Sequence, residues 1–329
     1  MNRTKKVAVI GAGRMGRYHI RVLSRLGSLA AIVDTNQNCG RQNSDENGTQ
    51  FFTDYRTMLD EVQPNGVIIA TPTHHHFHIL EDLLQNYSLD GILVEKPVSS
   101  TIEEGQRLLR LAQDSSTAVS VGHIEVYNPV VKRTIDMFHQ GTLGELRTLF
   151  FQRRGAVSDG RLDSIGDVYQ DIGIHDFDIA SRFLNGSAKL SAFALNRGDS
   201  DIVNTSTVVL NTNNMICTFL LSREYAGKVR RVELEGTKAT MVVDLLDQYI
   251  QVRQLGIAKG DTKSISVPYG SGEHIKVYGE PLLEEIWQFL DTMSGASPLV
   301  SIQDGIRGLK MVEAAREAAK TGCEVELVL

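Results

Sequence analysis

Cysteine is scarce and scattered in this chain of 329 residues: Cys39, Cys217 and Cys323 make an odd number with no Cys-x-x-Cys pair. That excludes a disulfide framework and a thiolate zinc site, and it fits a reducing compartment. Long apolar runs are missing as well. The opening Met-Asn-Arg-Thr-Lys-Lys leads into four apolar residues, Val7–Ile10, and then a glycine. Four is too short for a secretory core, and no run approaches the ~20 residues of a membrane span. A basic excess is also absent, since Lys+Arg 34 against Asp+Glu 40 gives 34 − 40 = −6. The expectation is a cytoplasmic protein with no nucleic-acid and no membrane partner.

What is present is ordinary globular material. Hydrophobic residues at 42% and charged residues at 22% exclude disorder, collagen and coiled coil. The length suggests two domains at ~150 residues each. The first third alternates apolar β-branched runs (Val7–Ile10, Leu29–Val33, Val67–Ala70, Ile92–Val94, Ala118–Val121) with helical patterns over 16–26, 55–62, 77–84 and 101–112. Strands that are apolar throughout and separated by amphipathic helices predict a parallel sheet covered on both faces. The polar, Asn- and Gln-rich stretch 36–50 reads as a surface connection.

After Gly122 the pattern changes. Helices are expected over 129–140 and 168–184, and strands over 145–154, 190–196, 205–210, 215–221, 229–235, 239–245, 249–254 and 264–267. Consecutive strands without crossover helices predict a largely antiparallel sheet. Two further helices, 281–293 and 302–321, close the chain. The predicted organisation is a cofactor domain over 1–122 and a substrate domain over 123–329. A sheet with one face uncovered leaves apolar surface, so a homodimer or homotetramer through that face is expected.

Gly11-Ala12-Gly13-Arg14-Met15-Gly16 is a Gly-x-Gly-x-x-Gly placed between a strand and a helix. The first glycine permits a tight turn, the second lets a pyrophosphate approach the backbone, and the third lets helix and strand pack closely. The helix N-terminus then offers amides and a positive dipole end to the phosphates. Asp34 closes the second strand, 23 positions after Gly11 (34 − 11). An acid there accepts the adenosine ribose hydroxyls and repels a 2′-phosphate, so NAD is expected over NADP.

Four of the five residues 74–78 are histidines, following Thr71-Pro72 at a strand end. A metal site is the competing reading, but no carboxylate lies at ligand spacing, so Thr71, Pro72 and His76 are expected to contact cofactor, with no metal. In Val94-Glu95-Lys96-Pro97 a lysine stands at the carboxyl end of another strand of that sheet. Such a lysine can support deprotonation of a substrate hydroxyl, or it can be a solvated strand end. Asp171 and His175 share an i, i+4 spacing that continues to Asp178. The pair can be a carboxylate orienting a general base, a structural ion pair, or part of a metal site.

Taken together, these motifs resemble the Gfo/Idh/MocA oxidoreductase family along essentially the whole chain. The resemblance includes Pro298–Gly305 as the family's closing strand and helix start. It implies an α/β Rossmann domain followed by an α+β domain with a large, mostly antiparallel, open-faced sheet. It also implies NAD(P)-dependent hydride transfer at a sugar or cyclitol carbinol, with Lys96, Asp171 and His175 as the catalytic trio. Gly11, Ala12, Gly13, Arg14, Met15, Asp34, Thr71, Pro72, His76, Glu95 and Lys96 would line the cofactor. Val121–Pro129, with Gly141-Thr142-Leu143-Gly144-Glu145, is similar to the family branch that oxidises UDP-N-acetylglucosamine at C3, although Val126 and Tyr127 stand where that branch has Arg and Phe. That match implies substrate contacts from Tyr127 and Asn128, and Arg153 and Arg154 can either meet a nucleotide's phosphates or be solvated residues at a strand edge. The alternatives are a dehydrogenase of a free sugar or inositol, and a non-catalytic dinucleotide-binding sensor of the same fold.

Overall fold

A computed structural model describes residues 5–157, 166–196, 202–255 and 272–328. The chain divides into two compact units, Met1–Ile124 with Glu280–Leu309, and Glu125–Gly279 with Lys310–Leu329. This corrects the expectation that all of 123–329 belongs to a second domain. Residues 280–309 return to the first unit because its sheet keeps room for them. A Cβ on Gly91 would stand 2.8 Å from Met293 and 3.1 Å from Phe289. Leu282, Ile286, Phe289 and Met293 share one core cluster with Val7, Val9, Ile68 and Leu93.

The first unit contains β1 (Val7–Ile10), α1 (Arg14–Arg25), β2 (Leu29–Val33), α2 (Gln37–Asn47), β3 (Gln50–Phe52) and α3 (Tyr55–Val62). It continues with β4 (Gly66–Ile69), α4 (His76–Asn86), β5 (Gly91–Glu95), α5 (Ile102–Asp114) and β6 (Ala118–Gly122). The sheet order is β3-β2-β1-β4-β5-β6, with every pairing parallel. The chain reverses direction of growth between β1 and β4, so the strand ends on either side of that point face one crevice.

The stretch expected as a surface connection is α2 and β3 instead. Its helix is set by its ends: the Asn36 side chain accepts from the Asn38 and Cys39 amides, and Gly48 closes it at φ 60°. Few apolar residues are needed because Gly40 packs against the Phe51 ring.

The second unit contains α6 (Pro129–His139), β7 (Leu146–Gly155), α7 (Ile174–Ser181), β8 (Ser187–Asn196), β9 (Val203–Asn211) and β10 (Ile216–Ser222). β11 (Lys228–Gly236), β12 (Ala239–Asp244), β13 (Tyr249–Gln254) and β14 (Glu273–Lys276) follow. After α8 (Pro281–Thr292) and α9 (Ile302–Thr321), β15 (Val325–Val328) completes the sheet. Its order is β14-β13-β12-β11-β7-β10-β9-β8-β15, and among the described residues only β7 and β10 pair in parallel. The strand expected over 264–267 lies outside the described residues.

Strand alternation gives this sheet two different faces. One carries Leu149, Phe151, Phe219, Leu221 and Leu234, all buried, with Phe177 of α7 edge-on to Phe219 at 4.9 Å. The other carries Phe193, Leu195, Ile216 and Val328, exposed by 70%, 68%, 49% and 71%. Such a run of large apolar side chains on one sheet face is what an open sheet looks like before it meets a partner.

Ile68 is fully buried at the centre of the parallel sheet. Ile68→Ala removes packing in the cluster that Ile68 shares with Val9, Ile20 and Phe289, and is expected to cost roughly 2–5 kcal/mol. A urea titration should show a lower midpoint with an unchanged slope.

Candidate functional site

The carboxyl ends of β1, β2, β4 and β5 bring the glycine loop, Asp34, Thr71-Pro72 and Glu95-Lys96 to the same edge of the parallel sheet. Gly11 holds φ +97°, and a Cβ there would stand 2.7 Å from the Ala70 carbonyl oxygen. A Cβ on Gly16 would collide with the Gly11 carbonyl oxygen, whereas one on exposed Gly13 would meet nothing within 4 Å. Two glycines therefore serve close packing and the third leaves open backbone. Gly13 caps α1 without a side-chain hydrogen bond, so the first amides of the helix keep their capacity for an anion.

Asp34 accepts from the Ala12 amide at 2.7 Å and from the Asn36 amide at 2.7 Å, one on each carboxylate oxygen. Each oxygen retains a lone pair for a ribose hydroxyl. The acid is thus fastened to the loop it serves. Arg14 is exposed and Met15 half-buried at the start of α1. These residues fit a dinucleotide: open Gly13 backbone for the pyrophosphate and an anchored acid for the ribose.

His76 does not fit its expected role. It is buried, with Nδ1 2.8 Å from the Pro97 carbonyl oxygen and Nε2 2.8 Å from the Thr71 carbonyl oxygen. Both ring nitrogens face inward acceptors, so the ring ties the Thr71 loop to the turn after β5 and presents no nitrogen to a cofactor or metal. Burial pushes its pKa down against the two carbonyls, which hold it up. His74, His75 and His78 are exposed. Glu95 is buried and receives His19 Nε2 at 2.7 Å, while its second oxygen accepts from the Lys96 amide at 3.3 Å. It supports the strand end rather than opening onto the crevice. Lys96 is half-buried.

In the second unit the segment before α7 departs from a plain helix. Residues Tyr169–Gly173 form a π-helical turn that runs into α7. Asp171 lies in that wider turn and half-buried His175 follows in the first turn of α7. Such turns often occur at functional sites. Buried Arg223 stands 3.6 Å from Asp171 and donates to Asn204 Oδ1 at 2.7 Å and the Gly166 carbonyl at 2.7 Å. Arg223 was not legible as a site residue from sequence, because it follows β10 and meets Asp171 only through the fold. Asp178 is buried and 3.1 Å from Arg182, so it does not extend the Asp171–His175 pair.

Arg153 corrects a second expectation. It is buried, with Nη2 2.7 Å from Asp176 and Nη1 2.7 Å from Glu125. Burial alone would lower its pKa, but the two carboxylates raise it, and it stays charged. Burial raises the Glu125 carboxyl, yet Arg153 more than offsets this and the net direction is down. With both partners in place Arg153 does not reach out to a phosphate. Arg154, the next residue on β7, points to the opposite sheet face and lies over the Tyr225 ring at 4.3 Å. Tyr127 is buried in its unit. Asn128 is buried too: it donates to the Leu245 carbonyl at 3.0 Å and caps α6 through the Val130 amide. It serves the fold rather than a substrate. Half-buried Arg230 pairs across strands with Arg153, and burial and that like charge push its pKa down to about 10.

The family model described as an oxidoreductase family with an NAD-binding Rossmann fold, GFO_IDH_MocA, matches residues 5–123. The corresponding C-terminal domain model matches residues 131–242. The chain belongs to the Gfo/Idh/MocA oxidoreductase family. It is an NAD(P)-dependent oxidoreductase. UDP-N-acetylglucosamine 3-dehydrogenase of Acidithiobacillus ferrooxidans is 26% identical, covering 94% of this chain and 95% of that one. Inositol 2-dehydrogenase of Rhizobium meliloti is 25% identical, covering 95% and 96%. Among solved structures, a levoglucosan dehydrogenase complex with NADH and levoglucosan aligns at a TM-score of 0.85 and 18% identity, covering 99% of both chains. That last likeness is one of fold. No helix among the described residues is long and apolar enough to cross a membrane.

Two outcomes are expected of this family member. Asp34→Ala should relax the discrimination between NAD and NADP, read as the ratio of kcat/KM values for the two cofactors. Arg153→Leu leaves Asp176 and Glu125 buried without their cation and should cost ~3–5 kcal/mol at pH 7. In the parent, Glu125 has a folded pKa below its unfolded value of ~4.3, so its contribution is present above that pH and lost as pH falls through the folded value. Asp176 works oppositely, since burial holds its carboxyl above the ordinary range even beside Arg153. In Arg153→Leu the sign for Glu125 reverses and joins that of Asp176, so stability should fall more steeply than in the parent as pH rises from about 4 to 7. Chemical denaturation across that range checks both.

Proposed function

We propose that this chain oxidises a secondary hydroxyl of a sugar, with NAD as acceptor and C3 of a UDP-N-acetylhexosamine as the target. The observation that carries the reading is Asp171, set in a π-helical turn against buried Arg223 and followed four positions later by His175. A carboxylate held in that way can orient an imidazole and stabilise its charged form. When bound, NAD supplies the acceptor for the carbinol hydride. His175 is the proposed acceptor of a hydroxyl proton, and Lys96 the proposed hydrogen-bond donor that supports a developing carbonyl oxygen.

The nucleotide-sugar assignment rests on the relative from Acidithiobacillus ferrooxidans and on the Gly122-His123-Ile124-Glu125 segment. The inositol relative supports a second reading, oxidation of a free cyclitol or sugar. A non-catalytic sensor has no need of Lys96, Asp171 and His175 together. The exposed face bearing Phe193, Leu195 and Ile216 supports association of copies through the open sheet, as a homodimer or homotetramer in the cytoplasm.

A screen of NADH formation against UDP-N-acetylglucosamine, free hexoses and inositols is expected to favour the nucleotide sugar. Turnover of inositol alone would replace that substrate. Lys96→Met and His175→Asn should each bind NAD as the parent does and lose kcat by at least ~100-fold. Full activity in both would sink the assigned roles.

A further inference from the structure

Three buried side chains from three elements of the first unit meet at the strand end that leads into Lys96. They are His19 of α1, Glu95 of β5 and Glu285 of α8, with exposures of 0%, 7% and 1%. One ligand-capable atom from each lies within 4.8 Å of the others. The Glu95–His19 hydrogen bond and the Lys96 amide account for both Glu95 oxygens. Neither Glu285 oxygen has a hydrogen-bond partner among the described residues.

Two carboxylates buried this close cannot both stay ionised on one imidazolium, since each charge has lost its water and repels the other. Something positive has to be added. A zinc ion is a poor answer, because two of its tetrahedral ligands at 2.0–2.2 Å stand about 3.3–3.5 Å apart. His19 Nε2 and Glu95 Oε1 are 2.7 Å apart, a hydrogen-bond distance. Magnesium or calcium would want about six oxygens, and the cluster offers two carboxylates. A proton remains.

We propose that Glu285 is carried as a neutral carboxylic acid, which leaves Glu95 as the cluster's single carboxylate, paired with His19, and makes Glu285 a positioning residue for Lys96. The positioning step rests on the catalytic role proposed above for Lys96; the protonation does not. The groups facing Glu285 and its neighbour are His19 on α1, Glu95 and Lys96 at the end of β5, and His76 on α4, which acts through Glu95. Burial first, and the Glu95 charge second, push the Glu285 carboxyl well above the ordinary range. Burial also pushes Glu95 up, but His19 and Lys96 reverse it. The two acids are driven apart, as sharing of one proton requires.

The sign of the pH dependence follows. The folded chain keeps a proton on Glu285 that the unfolded chain releases near pH ~4.3, so stability falls as pH rises from there toward the raised folded value. Glu95 works oppositely, and its contribution is lost only as pH falls through its lowered value. Glu285→Gln keeps the neutral shape and removes the titration. The thermal midpoint of Glu285→Gln minus that of the parent is therefore expected to increase between pH 5 and pH 8. Infrared difference spectra of parent against Glu285→Gln at pH 7 should show a protonated carboxylic-acid carbonyl band in the parent. Glu285→Leu should lower kcat about tenfold or more with KM for NAD little changed, and Glu285→Gln should recover most of that loss.

Absence of the acid band, parallel melting curves, or a stoichiometric divalent metal in the parent that Glu285→Gln abolishes would each overturn the proton. A fully active Glu285→Leu beside a clear acid band would overturn the positioning role. Failure of the Lys96 assignment itself is distinguishable, because Lys96→Met would then be active while the band in the parent persists.

Discussion

A charge removed from water has to meet its opposite within hydrogen-bond reach, and this constraint lays out the interior of both units. In the second unit Arg153 lies under the sheet, and its guanidinium is matched on one side by Asp176 and on the other by Glu125. Those partners come from α7 and from the short turn after Ile124. One buried cation thus joins β7, α7 and the entry to α6. Arg223 does the same for the π-helical turn, holding Asn204, the Gly166 carbonyl and Asp171 around one guanidinium. Asp171 is thus placed by the helical turn, through its amide on the Asp167 carbonyl, with a buried arginine facing its carboxylate.

The first unit uses uncharged means for most of the same task. Its strands are apolar on both faces, and the glycine loop fits because two positions have no Cβ to collide with a neighbouring carbonyl. Several of its polar contacts gather where the strands end. Asp34 binds back onto the Ala12 amide, His76 spans two carbonyl oxygens, and Glu95 takes up His19. Each of these bonds holds a loop at the carboxyl edge, where a ligand of an open α/β sheet has to bind. Of these side chains His76 and Glu95 are turned inward, while Asp34 both fastens its loop and keeps lone pairs for a ligand.

This explains which residues could be read from sequence. The parallel sheet was legible because a strand buried on both faces has to be apolar throughout, and the glycine loop because its spacing follows from the turn it makes. The α2 helix was not, since its stability comes from Asn36, Gly48 and a contact between Gly40 and Phe51 rather than from an apolar stripe. The return of 280–309 to the first unit was hidden for a related reason: Gly66 and Gly91 announce no partner until Met293 fills the space above them. His76 and Asn128 carried the residue types of a ligand site but are engaged by backbone groups. In Arg153-Arg154 the alternation of the strand separates two adjacent cations onto opposite faces. The inward phase of Leu149 and Phe151 already pointed to Arg153 as the buried one.

His19 and Glu285 show the limit of reading by motif. His19 stands on the same buried stripe of α1 as Gly16, Ile20 and Leu23, and Glu285 beside Leu282, Ile286 and Phe289 on that of α8. A polar residue in phase with an apolar stripe is a signal in itself, because burial without a partner is costly. What no single stripe reveals is that the two point at the same carboxylate. Glu95 is the one member of the cluster that a motif marks, and it is marked for the lysine that follows it. Placed between an imidazole and an acid, it cannot change its own charge without disturbing both. The residue next to Lys96 therefore carries the electrostatic state of a buried cluster to the strand end where a hydroxyl would be held.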